Sequence, residues 1–446
     1  MSDSEPFLPF DTCEIIDIVG EIESPTTSVC TDYTPAIMFH SGSLPVLPFD
    51  ITSQIIDFVG ETEDKTLLKS LALVSPSFHQ ISSKYLFASI ELQDAKRHIP
   101  SSKKGFAKLL ESRPDVVKHI RKLTYHLKNV NNADHLVAPV LSYFLPSTSC
   151  LNYLGITNIN TRVSTMEWNK LDPSLTSGLL RLMHLPTMNH IDLSFFQNFP
   201  ISSLASSVNL HRLDVSCMTH FDPHDSEEDD SFEIVQSETA PKLREFHTLM
   251  SSLLTTKLLN TKRQDGRPAF DFTDLKQLSM QLENESKFRY LMQSAESLET
   301  LHLKLERDID RYSLSKFHDI LSLRSSTLKV LDLTVYLNTL ADLCEELEAM
   351  GGDNILEALS FNVHIEDLET EDYIGSRVQE VEKVLVRPGW SALRQVSIKI
   401  RISCGSKEVK ARLVEELQSL PGKYLSHLSK LESVAFNYSV VRGYTG

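Results

Sequence analysis

The apolar residues of this chain fall into two patterns that meet near residue 92. Over residues 47–92 they follow helical spacing in three short runs. Pro48 sits where a first helical turn opens, and Asp50 puts a negative charge at the positive end of the helix dipole. Ile51, Ile55, Ile56 and Val59 share the spacing, and Gly60 ends the run. Asp64 is placed to cap a second helix carrying Leu67, Leu68, Leu71 and Val74. Ser75-Pro76 is a cap followed by proline at a first helical position, and opens a third helix with Phe78, Ile81, Tyr85 and Leu86.

Beyond residue 92 a six-residue frame takes over, apolar-x-x-apolar-x-apolar. It begins at Ile120-Leu123-Tyr125 and Leu151-Leu154-Ile156 and ends at Leu393-Val396-Ile398 and Leu431-Val434-Phe436. Starts recur every 22 to 38 residues. The alternation closing each frame predicts a strand, and amphipathic stretches between frames predict helices, at 175–185, 287–295, 313–323, 340–350 and 407–420. In such a strand the residue between the last two apolar positions points away from the core. From the third frame onward that residue is Asp192, Asp214, His247, Ser279, His302, Asp332, Ser360 and Ser397, all polar or ionisable. Stacked parallel strands would set them about 4.8 Å apart, so Asp192 and Asp214 are expected as neighbouring like charges that a partner's basic group would relieve. Asp192, Asp214, His247, His302 and Asp332 are the candidate contacts for a bound protein; the alternative is an ordinary wet sheet face.

The helical segment resembles the F-box. The resemblance rests on Leu47-Pro48, Asp50, Ile55-Ile56, the acidic turn Glu63-Asp64, the run from Leu71 to Ser75, Phe78, and the closing Tyr85-Leu86-Phe87 with Ile90. Phe78 stands where many members have Trp, and Pro76 where a basic residue is usual. The resemblance implies that Leu47, Pro48, Ile51, Ile55, Leu68, Leu71, Val74 and Phe78 build or support the surface for a Skp-type adaptor. The alternative is a helical cap on the larger domain behind it, since so short a segment makes a weak core alone.

The frames resemble degenerate leucine-rich repeats, in which one unit cannot bury its face and stacked units share a core. The family's Asn after the last strand leucine is missing: Phe196 follows Leu193 and Tyr336 follows Leu333. Irregular turns are expected in its place. A generic α/β layered domain is the alternative.

The expected fold is therefore α/β: an N-terminal three-helix F-box at 44–92, then an irregular leucine-rich-repeat solenoid over 93–446 with a parallel sheet on one face. Residues 1–43 are expected as a mostly disordered tail. Residues 8–21 copy 47–61 with one deletion, and read as a duplication remnant or a second adaptor site.

Composition narrows the function classes. The formal net charge is −16, from 44 basic and 60 acidic residues, and seven acids crowd the stretch 219–233, an expected loop insertion. This balance argues against non-specific nucleic-acid binding. No apolar run is long enough for a bilayer and no secretory signal opens the chain, so the expected compartment is cytosol or nucleus. The six cysteines show no zinc spacing and read as buried free thiols. Pro223 between His220 and His224 prevents a helical metal face, and Lys262, Arg263 and Arg267 read as an exposed loop. No phosphate loop, nucleophile elbow or other catalytic signature occurs, so neither cofactor nor catalytic residue is expected. The two resemblances together imply a substrate receptor of an SCF ubiquitin ligase. Its F-box docks a Skp-type adaptor, the adaptor docks a cullin, and the repeats hold an unknown protein target. The alternative is a non-catalytic scaffold not assembled with a cullin.

Overall fold

Three helices open the described chain: α1 (Phe49–Glu61), α2 (Lys65–Ala72) and α3 (Pro76–Leu86). The computed structural model describes residues 48–62, 64–93, 102–127, 134–145, 149–159, 165–218, 234–235, 239–282, 285–305, 317–350, 354–367, 370–403 and 406–442. The tail at 1–43 with its copy at 8–21, Leu47, and the acidic stretch 219–233 lie outside these residues. The chain divides into two units, Met1–Phe199 and Pro200–Gly446.

In the first unit the expected caps form. The Asp64 carboxylate accepts from the Leu67 amide at 3.0 Å, and Ser75 Oγ accepts from the Phe78 amide at 3.4 Å with Pro76 opening α3. Two details differ from expectation. Pro48 is the N-cap of α1 rather than part of its first turn, and its carbonyl accepts from the Thr52 amide at 3.0 Å. Gly60 does not end α1, which continues through Glu61. It lies under the Tyr85 ring of α3, where a Cβ would come within 2.4 Å of a ring carbon. Glycine is there for close approach, not for a turn. Ile56, Val59, Leu68, Ala72, Ile81 and Leu86 are buried among the helices. Asp57 braces α1 to α3 through the Lys84 ammonium at 2.6 Å and the Tyr85 hydroxyl, which donates at 2.9 Å.

Residues expected at the end of the helical module form a strand instead. Strand β1 (Ser89–Leu92) pairs in parallel with β2 (Lys122–Leu127), followed by β3 (Tyr153–Asn158) and β5 (His190–Ser194) in the order β1-β2-β3-β5. The register aligns Ile90, Leu123, Leu154 and Ile191 in one buried row, and Leu92, Tyr125, Ile156 and Leu193 in a second. Helices α4 (Ser102–Ser112), α5 (Asp134–Val140) and α6 (Pro173–Met183) come between strands, as parallel pairing requires a crossover. A short side pair joins β4 (Met166–Glu167), which precedes β5, to β6 (Phe196–Gln197), which follows it. Phe196, standing where the repeat family has its turn residue, is buried edge-on against Trp168 at 5.6 Å. An apolar plug replaces the polar side chain of that turn.

The second unit continues the pattern with longer strands. These are β7 (Arg212–Ser216), β9 (Glu245–Leu249), β11 (Gln277–Leu282), β12 (Thr300–Leu305), β13 (Val330–Tyr336), β14 (Ala358–Ile365), β15 (Gln395–Ile402) and β16 (Ala435–Arg442), paired in parallel in that order. Between them lie α8 (Ser252–Asn260), α9 (Glu285–Ser294), α10 (Phe317–Ser322), α11 (Leu340–Ala349), α12 (Glu371–Leu385), α13 (Lys407–Leu417) and α14 (Leu420–Tyr424), with α7 (Ile201–Ala205) before β7. One row runs Leu213, Phe246, Leu278, Leu301, Leu331, Leu359, Val396, and all seven are buried. Strand length grows from 5 residues in β7 and β9 to 8 in β14, β15 and β16.

Two corrections concern this unit. Phe436, not Val434, stands beside Val396, so the last frame is displaced by two residues. A two-residue shift keeps every side chain on its own face, so hydrophobic alternation cannot detect it. Lys262 and Arg263 are not a free loop: they form β10 (Lys262–Arg263), paired with β8 (Ile234–Val235), and the Arg263 side chain is only 11% exposed. The turns after β7 and β9 pass through left-handed backbone at Cys217 (φ 50°) and Met250 (φ 52°), as does Phe195 (φ 65°) after β5. Such a residue costs roughly 1–2 kcal/mol without glycine. The Cys217 amide donates to the Leu249 carbonyl at 2.8 Å, so the turn extends the ladder by one bond.

Candidate functional site

Two surfaces stand out, one in each unit. On α1, Ile51, Ile55 and Phe58 form an i, i+4, i+7 stripe that faces solvent, beside the buried Thr52, Ile56 and Val59. Phe58 is 70% exposed. Phe49, and Leu67, Leu73 and Val74 on α2 and the turn after it, are exposed as well, Val74 to 66%. Scattered exposed leucines need no explanation, but this many large apolar side chains on one short helical segment is the character of an interaction surface. The geometry sorts the eight nominated residues. Pro48, Ile51, Ile55 and Val74 are exposed, Leu71 and Phe78 are half-buried, and Leu68 is core at 2% exposure. Leu47 lies outside the described residues. Phe49, Phe58, Leu67 and Leu73 were missed, because helical spacing alone does not say which apolar residues the helices keep for themselves.

On the second surface the register brings the nominated column together within the second unit. Asp214 stands beside His247, His247 beside Ser279, Ser279 beside His302, His302 beside Asp332, then Ser360 and Ser397. Each is on the half-buried, outward side of its strand. Asp192 belongs to the first unit, where it accepts from the Tyr153 hydroxyl and from Ser194 Oγ, both at 3.3 Å. Asp214 has its own cation: Arg212 donates to it through Nε and Nη2 at 3.0–3.2 Å and reaches Glu245 through Nη1 at 2.8 Å. The charge relief expected from a partner's basic group is thus supplied to Asp214 by its own strand. His302 Nδ1 and Asp332 are 3.2 Å apart. Burial, first, holds His247 below the usual imidazole range; Asp214 and Glu245 pull the other way.

The chemistry of these surfaces is that of contact. Among the described residues no group of three or more His, Cys, Asp or Glu side chains is placed to hold a metal ion, and no helix is long and apolar enough to cross a membrane. Burial pushes the Cys344 thiol up to about 12 and raises Cys217 too, so neither is an activated nucleophile. Cys150, expected inside, is exposed.

No protein-family model and no curated protein matches the chain. Among solved structures, the crystal structure of the Rad7 and Elc1 complex in yeast contains a chain that is 14% identical over 82% of this chain and 84% of that one, with a TM-score of 0.33. A likeness at that level assigns no partner to this chain.

Proposed function

We propose that this chain is the substrate-recognition subunit of an SCF-type ubiquitin ligase, working in the cytosol or nucleus. The carrying observation is the exposed apolar stripe Ile51, Ile55 and Phe58 with Val74, on three helices whose own core is already filled. These residues lie in the segment that resembles the F-box, so the stripe is read as the dock for a Skp-type adaptor. A cullin held by that adaptor would bring the loaded conjugating enzyme. The strand face of the repeats would hold the target, with Asp214, His247, His302 and Asp332 among its contacts in the second unit and Asp192 a candidate contact in the first. The chain contributes no bond-making group. Its effect is proximity, which turns a bimolecular transfer into an effectively intramolecular one.

The test is a pull-down of the purified full chain with a Skp-type adaptor. Changing Leu47 and Pro48 to Ala, or Ile51 and Val74 to Ser, should abolish adaptor capture while the thermal melt is preserved. Undiminished capture by both variants would remove the ligase reading. Capture of the adaptor without a cullin from a reconstituted mixture would favour the scaffold instead.

A further inference from the structure

Charge is not spread evenly over the outward face of the second unit. At β7 and β9 the outward charged residues are Arg212, Asp214 and Glu245, and they pair with one another. At β12 to β15 they are Lys304, Asp332, Lys399 and Arg401. Asp332 is met by His302. Among the described residues, no carboxylate lies within ion-pairing distance of Lys304, Lys399 or Arg401, although all three are half-buried. Arg401 Nε is buried without a hydrogen-bond partner, and so is Asn362 Oδ1 on the neighbouring strand. Half-buried cations left unmatched in a chain of net charge −16 are a cost to the fold that a bound anion would offset.

The cations share one neighbourhood. Lys304, Thr334, Asn362 and Lys399 form a single row across β12 to β15, and His364 with Arg401 stand in the next row. Burial holds His364 below the usual imidazole range, and the positive charges of Arg401 and Lys304 lower it further. Three strand spacings separate Lys304 from Lys399, or about 14 Å.

We propose that this patch binds an extended Asp/Glu-rich segment of the target protein, laid across β12 to β15 over Lys304, Lys399 and Arg401. The inference rests on the reading that the open strand face holds the target. The spacing selects the chemistry. Lys304 and Lys399 are too far apart to converge on one phosphate group and match single carboxylates about four residues apart on an extended chain, while Arg401, two residues along β15 from Lys399, adds a second cation at that end. A nucleic acid would present its charge to the whole acidic molecule. A short segment can lie wholly over the patch, and screening over about 8 Å mutes the acidic surface beyond it.

The experiment is fluorescence anisotropy with the full chain, without adaptor, and labelled twelve-residue peptides. One peptide carries Glu at every fourth position, one Gln at the same positions, and one a single phosphoserine; a single-stranded oligonucleotide is the fourth probe. The Glu peptide should bind and the Gln peptide should not, and added salt should weaken binding. A K304Q/K399Q/R401Q variant should weaken it at least tenfold, and K276Q, a cation just before β11 that pairs with Glu299, should leave it unchanged. If the triple variant melts early, K399Q alone should weaken binding about threefold. Equal binding by wild type and variant, no binding of the Glu peptide, or tighter binding of the phosphopeptide or oligonucleotide would overturn the proposal. Adaptor capture is measured separately, so loss of the ligase reading and loss of this patch give different results.

Discussion

In α1, Ile56 and Val59 are buried while Ile51, Ile55 and Phe58 on the same helix stay open; in β13, Leu331, Leu333 and Val335 are all buried and the residues between them, Asp332 and Thr334, are polar. The strand spends its apolar residues on its own unit, and alternation leaves the other face for polar contacts. The helix has more apolar residues than its packing uses. The difference separates two kinds of sensitivity. Residues that hold the fold should show in stability, and residues held out for a partner should show only in binding.

The sharpest test sets one of each side by side. Leu331 is fully buried between Leu301 and Leu359. Leu331→Ala should cost about 2–5 kcal/mol, read as a lowered urea midpoint. Phe58→Ala should stay within about 0.5 kcal/mol of wild type and yet lose adaptor capture. If Phe58→Ala destabilises as much as Leu331→Ala, the stripe belongs to the core and the comparison fails.

A smaller loss is expected inside the helical segment. Gly60→Ala would drive a methyl group into the Tyr85 ring and push α1 off α3. Overpacking of this kind costs about 1–3 kcal/mol. The thermal melt should drop, and the drop caused by Gly60→Ala should be smaller in a Tyr85→Ala background than in the wild type, because the ring it strikes is gone. A melt unchanged by Gly60→Ala would mean the two helices do not approach as closely as described.

What was legible in the sequence is what acts over a few residues. Asp64 and Ser75-Pro76 punctuate their helices within one turn, and period-two alternation marked the strands and named the outward column from Asp214 to Ser397 correctly. Distant packing was not legible. Which isoleucines of α1 stay open depends on how α1 packs against helices further along the chain, and its close contact at Gly60 is with Tyr85, 25 positions away. Strand β1 has only two inward residues, Ile90 and Leu92, too few for a period to show behind three helices. The six-residue frame also stopped short of the long strands. Alternation continues through Asn362-Val363-His364-Ile365 and Lys399-Ile400-Arg401-Ile402, and that extension could have exposed the basic patch.

A weaker effect should follow from the brace between α1 and α3. Hydrogen bonding to Lys84, and then to the Tyr85 hydroxyl, holds Asp57 below the ordinary carboxylate range. A lowered folded-state pKa means the stabilisation is complete above the unfolded value, near 3.9, and is lost as pH falls through the folded value. The carboxylate is 40% exposed, so the contribution is under about 1 kcal/mol. Asp57→Asn should therefore lower stability slightly at pH 7 and converge with wild type in strong acid. A difference that persists in acid would assign the loss to packing instead.

The smallest effect is expected from removing residues 1–42, and it tests whether pattern without packing can make the surface. The copy at 8–21 repeats the apolar order of α1: Ile15 and Ile16 for Ile55 and Ile56, Val19 for Val59, and Gly20 for Gly60. It lacks counterparts of α2 and α3. In the described segment those helices bury Ile56 and Val59 and fix which face of α1 stays open. A lone helix of that length is marginal in water, and ordering it on a partner draws on the binding energy. The copy should therefore add little to adaptor affinity. A chain starting at Ser43 should titrate against the adaptor as the full chain does. A tenfold loss would mean that about 1.4 kcal/mol came from the first 42 residues. The apolar order alone would then suffice for docking, and the α2–α3 scaffold would not be what makes the stripe a binding surface.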